Sequence, residues 1–342
     1  APSARPAYCD TMTAGTRRIR VLVQSAFLAL VLLIGLEFHF FVQALLDGGA
    51  LPRRPPGVEG FLPISSLMSL RLLAQTGEVH PAHPAGLFIL LGALAMSFTA
   101  PKSFCGWLCP FGFLSEVVHG LRRRLTPSFR YPPAWLHYPL SALKYLLLGF
   151  FAWAIFASMD LGSLRAFLDG DYNLIADAKM YFFFADITPL AAGVIAALLA
   201  LSFAVPFFWC RYLCPYGALL VPVSLAGPLR IRRDPAACAA CGRCARACPQ
   251  GIAVDRATAV RSENCVSCAR CLDACPAPGA LEFRDRGGRL RVRPAFLPLL
   301  TALVFFLVIW LAMAAGNWES RVPPEEYRRL VPLHDTLGHP GV

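Results

Sequence analysis

Apolar stretches of 16 to 26 residues alternate with polar loops along most of the chain. Five of these stretches approach the roughly 20 residues that a helix needs to cross the hydrocarbon core of a bilayer. They cover residues 21–46, 85–100, 138–159, 187–209 and 294–316. The pattern therefore predicts an all-α transmembrane helical bundle of about five spans.

Two further features of the apolar pattern refine this prediction. The first stretch is too long for the core of a signal peptide and has no small-residue cleavage site, so we interpret it as a retained span. Another apolar stretch, residues 61–75, contains Arg71. A charge inside so short a stretch favours a helix that lies at the membrane interface.

Two tandem cysteine runs interrupt the apolar pattern. Each run spaces its four cysteines by two, two and three residues and ends in proline. The runs are Cys238, Cys241, Cys244 and Cys248, then Cys265, Cys268, Cys271 and Cys275. This spacing is the signature of bacterial ferredoxins with two [4Fe-4S] clusters, whereas zinc ribbons use two CxxC pairs. It predicts an inserted α+β two-cluster ferredoxin domain.

The same signature predicts which cysteines share a cluster. In tandem runs of this kind, the fourth cysteine of each run ligates the cluster of the other run. Ligand set I then consists of Cys238, Cys241, Cys244 and Cys275. Ligand set II then consists of Cys265, Cys268, Cys271 and Cys248.

Composition agrees with a membrane protein that carries one polar insert. The chain is 56% hydrophobic and only 15% charged, with a mean hydropathy of +0.54. Eight of its 13 cysteines lie in the ferredoxin runs and four in two CxxxCP motifs, which leaves only Cys9 unassigned. Such usage indicates metal ligation in a reducing compartment and not a disulfide framework.

The distribution of positive charge predicts orientation. The segments before residue 21 and at 101–137 and 210–293 hold 23 Lys and Arg, against 8 in the alternate loops. The positive-inside rule then places the N-terminus, both CxxxCP motifs and the ferredoxin domain in the cytoplasm, with the spans in a bacterial inner membrane. Because the net charge of +11 follows the membrane in this way, we expect no nucleic-acid partner.

These patterns divide the chain into three predicted parts. Residues 1–228 form a membrane domain with duplicated helix–CxxxCP units. Residues 229–293 form the ferredoxin domain, and residues 294–342 form a C-terminal transmembrane helix with a short tail.

The duplication is visible as an internal repeat. Five residues of the first motif recur at an offset of 105 positions. The matching pairs are Cys105 and Cys210, Cys109 and Cys214, Pro110 and Pro215, Gly112 and Gly217, and Leu114 and Leu219. A single repeat of this length indicates a domain duplication, and it predicts a parallel pseudo-twofold pair.

Proline fixes the expected local structure of each copy. The residue before a proline is pushed out of the helical region, so Cys109 and Cys214 should end their helices. Pro110 and Pro215 should then open the next, amphipathic helix at its first position.

The four CxxxCP thiols, Cys105, Cys109, Cys210 and Cys214, are predicted to meet in one site. Four thiolates suit a third iron–sulfur cluster, and they suit zinc as well. A reversible dithiol pair is another option. Cysteines that serve only as small apolar packing residues are the simplest alternative.

Four ionisable residues are candidates for quinol chemistry on the opposite side of the membrane. Glu37 and His39 interrupt the first apolar stretch, and His80 and His83 precede the second. An ionisable group inside a membrane is costly, which makes it a functional candidate. Interfacial side chains that reach toward water are the alternative interpretation.

The combination of tandem ferredoxin runs, two CxxxCP motifs and membrane spans resembles a known family. It is similar to the polyferredoxin-like membrane proteins typified by the quinol-dehydrogenase subunit NapH, and to the iron–sulfur half of NosR. That resemblance implies two [4Fe-4S] clusters and electron transfer involving the quinone pool. The CcoG group, which shares some of these motifs, implies copper reduction instead.

The sequence therefore favours an iron–sulfur electron-transfer protein, which as an enzyme would be a quinol dehydrogenase subunit. Its expected partners are the quinone pool, membrane lipid and a redox protein, with a periplasmic or flavin-containing protein as an open option. Two alternatives stay open: a copper or metal-centre reductase that acts through the CxxxCP thiols, and a redox-sensing membrane regulator.

Overall fold

The computed structural model describes residues 14–126 and 131–338, and Cys9 lies outside them. Within these residues the chain is mostly helical, with one small sheet. The helices are α1 (Ala14–Leu46), α2 (Pro63–Thr76), α3 (Pro84–Thr99), α4 (Ser103–Trp107), α5 (Pro110–Leu125), α6 (Ala134–Trp153), α7 (Leu161–Asp169), α8 (Asp171–Leu174), α9 (Ala176–Ala185), α10 (Pro189–Ala204), α11 (Pro215–Ala226), α12 (Arg243–Ala247), α13 (Arg270–Asp273), α14 (Leu297–Ala314) and α15 (Pro324–Leu330). The strands are β1 (Arg230–Arg233), β2 (Leu281–Arg284) and β3 (Arg291–Val292).

Three helical stretches in the described residues are long and apolar enough to cross a membrane. They are Thr16–Leu46, Ala134–Ser158 and Pro294–Ala314. In the most apolar part of the first, only 11% of the residues are buried, so its apolar side chains face outward as a lipid-exposed helix requires. The structure thus establishes a helical membrane protein with about three apolar spans.

Of the two other predicted spans, α3 keeps the 16 residues that the sequence pattern predicts, whereas α10 is shorter than predicted. Helix α3 has 16 residues and is therefore about 24 Å long, less than the hydrocarbon core of about 30 Å. Helix α10 also has 16 residues and is joined to α9 at a bend of 83°. If α9 and α10 count as one broken span, the total is four. Beyond α10 the chain breaks at Phe207, whose φ is 58°, so the run 187–209 is not one continuous helix.

Helix α2, for which the sequence predicts an interfacial position, packs against other parts of unit two. Most of its middle is buried in protein, and Arg71 is 7% exposed. The Arg71 guanidinium donates hydrogen bonds to the carbonyl oxygens of Ile155 and, at 2.9 Å, Met159. Carbonyls at a helix end lack intrahelical partners, so Arg71 is tolerated here because it caps the end of the Ala134–Ser158 stretch.

Contacts group the described residues into two compact units. Unit one comprises the described parts of Ala1–Phe27, Ala95–Ser141 and Leu201–Leu303. Unit two comprises those of Leu28–Leu94, Ala142–Ala200 and Val304–Val342. Unit one thus contains the ferredoxin segment together with both CxxxCP motifs, a grouping that differs from the boundaries at 228 and 293 expected from sequence.

The sheet of unit one frames the cysteine runs. Its strands pair antiparallel in the order β1-β2-β3, with Ile231 opposite Phe283 and Phe283 opposite Val292. Strand β1 leads into the first run, and β2 follows the second. Ile231 and Phe283 are buried in one core with Trp107 of the first CxxxCP motif. This shared core fixes the ferredoxin loops against the motif.

Candidate iron–sulfur and thiol sites

Ligand set II lines a pocket in unit one. The thiols of Cys248, Cys265, Cys268 and Cys271 border a space of about 320 Å³ that includes its open mouth. Apolar side chains complete the wall: Ile231, Ile252, Val254, Val260 and Val266. The pocket combines the fourth cysteine of the first run with three of the second, as the cross-ligation prediction requires. Ligation itself stays a prediction.

The electrostatics of this pocket suit a bound cationic centre. Burial raises the pKa of the Cys265 thiol to about 12, opposed by a hydrogen bond from the Ser267 backbone and reinforced by Cys268 and Cys248. Burial also raises the pKa of Cys271 well above its ordinary value. Thiols in such surroundings keep their protons unless positive charge replaces them, so metal binding must release protons here.

Ligand set I lies at a more open place in the same unit. Burial raises the pKa of Cys244, a hydrogen bond from the Ala245 backbone opposes that shift, and Asp255 and Cys275 add to it. Hydrogen bonds from the Ala240 backbone and the Arg233 guanidinium lower the pKa of Cys238. Cys241 is exposed. The effect of Cys275 on Cys244 is consistent with one shared ligand set.

The two cysteine runs share left-handed backbone conformations at matching positions. Ala240 and Gly242 of the first run have φ of 49° and 65°, and their counterparts Ser267 and Ala269 have φ of 51° and 61°. Left-handed conformations at non-glycine residues cost energy and cluster at ligand-binding loops. In both runs they flank the second cysteine, and they curl each loop around the position where its thiols converge.

Both CxxxCP motifs fold as their prolines predict. Cys109 and Cys214 have extended backbones and precede α5 and α11, which Pro110 and Pro215 open at the first position. This part of the prediction is confirmed. The expected amphipathic character is correct for α5 but wrong for α11, whose residues are almost all apolar.

The structure brings the four CxxxCP thiols together in unit one. Burial raises the pKa of Cys105 to about 12, Lys102 opposes that shift, and the nearby thiols of Cys214 and Cys210 add to it. Burial raises the pKa of Cys109 well above its ordinary value, and the other three thiols contribute. Ser115 of α5, which follows the first motif, reaches Cys210 of the second, so the two motifs are neighbours in unit one.

Hydrogen-bond donors already point at these sulfurs. The Gly217 N–H donates to Cys214 Sγ over 3.3 Å, and the equivalent Gly112 N–H bonds the Cys109 thiol. Ser115 Oγ lies 3.5 Å from Cys210 Sγ. Donors of this kind stabilise thiolate ligands and tune an iron–sulfur centre.

Ligand spacing bears on which metal would fit. Among the described His, Cys, Asp and Glu residues, no three are close enough to hold one metal ion. A four-iron cluster spreads its ligands over several irons, whereas a zinc ion needs them at one point.

The first CxxxCP motif touches the loop of ligand set II directly. A Cβ added to Gly106 would lie 2.1 Å from the Val266 carbonyl oxygen, so only glycine permits this approach. Trp107 Nε1 donates to the Ser267 carbonyl at 3.1 Å, and Ser267 Oγ donates to the Pro101 carbonyl at 2.8 Å. No pattern in the sequence predicts this contact of Trp107.

A buried ion cluster supports the same junction. Glu116 pairs with Arg20 and with Arg270, and Gln24 Nε2 donates to the Gly106 carbonyl at 3.0 Å. Because Arg270 belongs to the second cysteine run, the cluster links that run to α1 and α5. Sequence analysis missed Glu116, whose partners Arg20 and Arg270 are distant in the sequence.

The four candidate quinol residues lie in unit two and do not form one cluster. Glu37 is exposed, whereas His39 Nδ1 is 2.7 Å from Tyr181 Oη. His80 Nε2 lies 3.0 Å from Asp169 Oδ1. His83 is buried, and its Nε2 donates to the Asn173 carbonyl at 2.6 Å. Tyr181 and Asp169 are partners that the sequence did not reveal.

A second buried ion cluster in unit two was also missed. Arg54 pairs at 2.7 Å with both Glu59 and Asp177, which are 0% and 1% exposed. The Tyr327 hydroxyl donates to Asp177 at 3.4 Å, and the Glu59 carboxylate accepts from the Gly86 N–H at 3.0 Å. Asp177 and Tyr327 lie far along the sequence from Arg54 and Glu59, so no local pattern predicts the cluster.

Comparison with protein families agrees with the geometry. A family described as "4Fe-4S binding domain" matches twice, at residues 82–128 and 187–233, again at an offset of 105. A family described as "4Fe-4S dicluster domain" matches residues 230–293. No solved structure gives a significant match.

Among relatives, the "Putative electron transport protein YccM" of Escherichia coli (strain K12) is 37% identical over 327 residues, which cover 94% of this chain and 91% of YccM. The "Methylamine utilization ferredoxin-type protein MauN" of Methylobacillus flagellatus is 27% identical over 68% of this chain and 74% of its own length. The "Regulatory protein NosR" of Pseudomonas aeruginosa is 33% identical over 42% of this chain and 20% of NosR. The chain belongs to the family of polyferredoxin-like membrane proteins with 4Fe-4S domains that includes YccM and extends to NosR.

Proposed function

We propose that this protein transfers electrons between the quinone pool and a partner redox protein. The observation that carries the proposal is the direct contact between the first CxxxCP motif and the loop of ligand set II, through Gly106 and Trp107. The names of two relatives, "Putative electron transport protein YccM" and "Methylamine utilization ferredoxin-type protein MauN", support it.

The three groups of thiols all lie in unit one. The first CxxxCP motif contacts the loop of set II through Gly106 and Trp107, and Cys244 of set I contributes to the raised pKa of Cys271 in set II. Iron–sulfur clusters supply one-electron transfer when bound. The residues of this chain hold the ligand groups adjacent to each other and exclude water around set II with aliphatic side chains.

For the CxxxCP thiols we propose a third iron–sulfur centre. The family that matches both copies is described as a 4Fe-4S binding domain, and the four thiols converge with hydrogen-bond donors in place. Iron content would test this step: about eight irons per chain if only the ferredoxin runs are loaded, and more if this site is loaded too. Cys210→Ser should lower the iron content only in the second case.

The proposal includes five spans, with α3 and α10 as the two short ones, and a cytoplasmic ferredoxin segment in a bacterial inner membrane. The asymmetry of Lys and Arg supports this orientation.

We place quinol oxidation or reduction in unit two. His39 and Tyr181 form a hydrogen-bonded pair, and His80 has Asp169 as a carboxylate partner. Each pair can pass a proton between a quinol hydroxyl and a second group. Glu37 and His83 complete the set of candidates, Glu37 as an exposed carboxylate on α1 and His83 as a buried imidazole.

Quinol-dependent reduction in membranes tests this function. Purified membranes receive a reduced quinone, and EPR follows the appearance of reduced clusters. His39→Ala and Tyr181→Phe should slow the reaction by at least about tenfold without changing cluster content. Glu319→Gln, an exposed carboxylate in the same unit, is the control and should leave the rate unchanged. Equal rates in all variants would remove the histidine–tyrosine pair from the proposal.

Copper or metal-centre reduction is a second candidate function. The CxxxCP cysteines are partly accessible, and soft thiolates select Cu(I). Stoichiometric copper binding that Cys105→Ser abolishes, in protein with only eight irons, would favour it. A redox-sensing regulator would show neither quinol-dependent reduction nor copper binding.

A further inference from the structure

Ligand set I is the part of unit one that is open to solvent. Of the twelve cysteines in the described residues, Cys241 alone is exposed. Set II, by contrast, lies in an apolar pocket beneath the contacts of Gly106 and Trp107. A soluble protein can therefore approach set I far more closely than set II.

Strand β1 separates this open end from the apolar helix α11. At the beginning of the strand, Arg230 donates to the Leu225 carbonyl at the end of α11. At its end, Arg233 hydrogen-bonds Cys238 of set I. Four strand residues extend about 10 Å. The strand thus carries the chain about 10 Å from the end of α11 to set I.

The ferredoxin segment as a whole is strongly basic, and two of its exposed arginines lie in or next to the first cysteine run. Residues 229–293 contain 13 arginines, no lysine and only six acidic residues. Arg246 is exposed and donates to the Cys241 carbonyl at 2.9 Å. Arg256 is exposed and follows Asp255, the acidic group that faces Cys238 and Cys244.

We propose that the surface formed by Cys241, Arg233, Arg243, Arg246 and Arg256 is the docking site of a soluble, acidic redox protein. Complementary charge steers such encounters, and guanidinium groups bind carboxylates in bidentate geometry. The proposal rests on the proposed electron-transfer function and names the partner by its charge and its approach to set I.

Affinity for an acidic flavodoxin tests the proposal. The cluster-loaded, full-length protein is held in nanodiscs of zwitterionic lipid, and Kd is measured at low and at physiological ionic strength. We expect binding that weakens with salt and that Arg246→Gln and Arg256→Gln each weaken by about threefold or more. Arg246→Lys, which keeps the charge, should retain most of the affinity.

Arg289→Gln provides the matched control. Arg289 is an exposed arginine in the turn between β2 and β3, and it carries the same charge on the same segment. EPR first verifies that each variant keeps the cluster of set I. If Arg246→Gln loses that cluster, Arg256→Gln alone tests the proposal.

Three results would overturn the proposal: absence of flavodoxin binding, binding insensitive to salt, or equal weakening by Arg289→Gln. If Arg246→Gln and Arg256→Gln weaken binding to anionic lipid vesicles but not to flavodoxin, the surface contacts membrane instead. The binding assay requires no quinol. Its result can therefore be interpreted even if quinol-dependent reduction fails.

Discussion

The indole nitrogen of Trp107 donates a hydrogen bond to the carbonyl oxygen of Ser267, and this bond joins the first CxxxCP motif to the second cysteine run. The second motif makes the complementary contact, since Arg211 donates to the Gln250 carbonyl at 2.7 Å just after the first run. Each copy of the duplication thus holds one ferredoxin run. Contacts from both copies together hold the inserted segment in place.

Gly106→Ala should displace the loop of set II. The added methyl group has no room beside the Val266 carbonyl, and overpacking of this kind costs about 1–3 kcal/mol. We expect loss of the EPR signal of cluster II with that of cluster I retained. Gly120→Ala is the control, because nothing lies within 4 Å of its added Cβ. An unchanged cluster II signal in Gly106→Ala would contradict the contact.

Cys248→Ser should damage the cluster of the second run. Cys248 lines the same pocket as Cys265, Cys268 and Cys271, although it belongs to the first run. EPR of the reduced protein should show the same missing signal in Cys248→Ser and in Cys265→Ser. If Cys248→Ser removed the signal that Cys241→Ser removes, each run would hold its own cluster.

Arg54→Met should destabilise unit two strongly. Removal of one partner of a buried pair leaves uncompensated charge and costs about 3–5 kcal/mol, and here both Glu59 and Asp177 lose their cation. The neighbouring Arg53→Met is the matched control, since Arg53 pairs with Glu319 at the surface, where such a pair contributes about 1 kcal/mol or less. Thermal unfolding in detergent should show a large decrease in Tm only for Arg54→Met.

Reporter fusions should map the orientation that the charge asymmetry predicts. Fusions at Leu125 and Gly287 should report the cytoplasm, and fusions at Gly48 and Asp171 should report the periplasm. A periplasmic signal at Gly287 would reverse the assignment, and with it the cytoplasmic location of the iron–sulfur segment.

Local signals in the sequence predicted much of this molecule. The proline after Cys109 determined where α5 begins, and the spacing of the cysteine runs indicated the grouping seen in the pocket of set II. These features depend on residues close in sequence or on a repeated motif, and so they can be read before a fold is known.

Features that depend on tertiary contact were not predictable in this way. Arg71 made α2 look interfacial because its carbonyl partners lie more than 80 positions away. The bend between α9 and α10 interrupts a run whose composition is apolar throughout. Likewise Glu116 and Tyr181 acquire their roles only from partners on other helices.

The position of Tyr327 has a consequence for biosynthesis. Arg54 and Glu59 leave the ribosome early, whereas Tyr327, which closes their buried cluster, is made only after α14. Until then the core of unit two lacks one of its largest buried side chains. Membrane insertion of the earlier helices must therefore precede completion of this core. Unit two can become stable only after α15 has been synthesised.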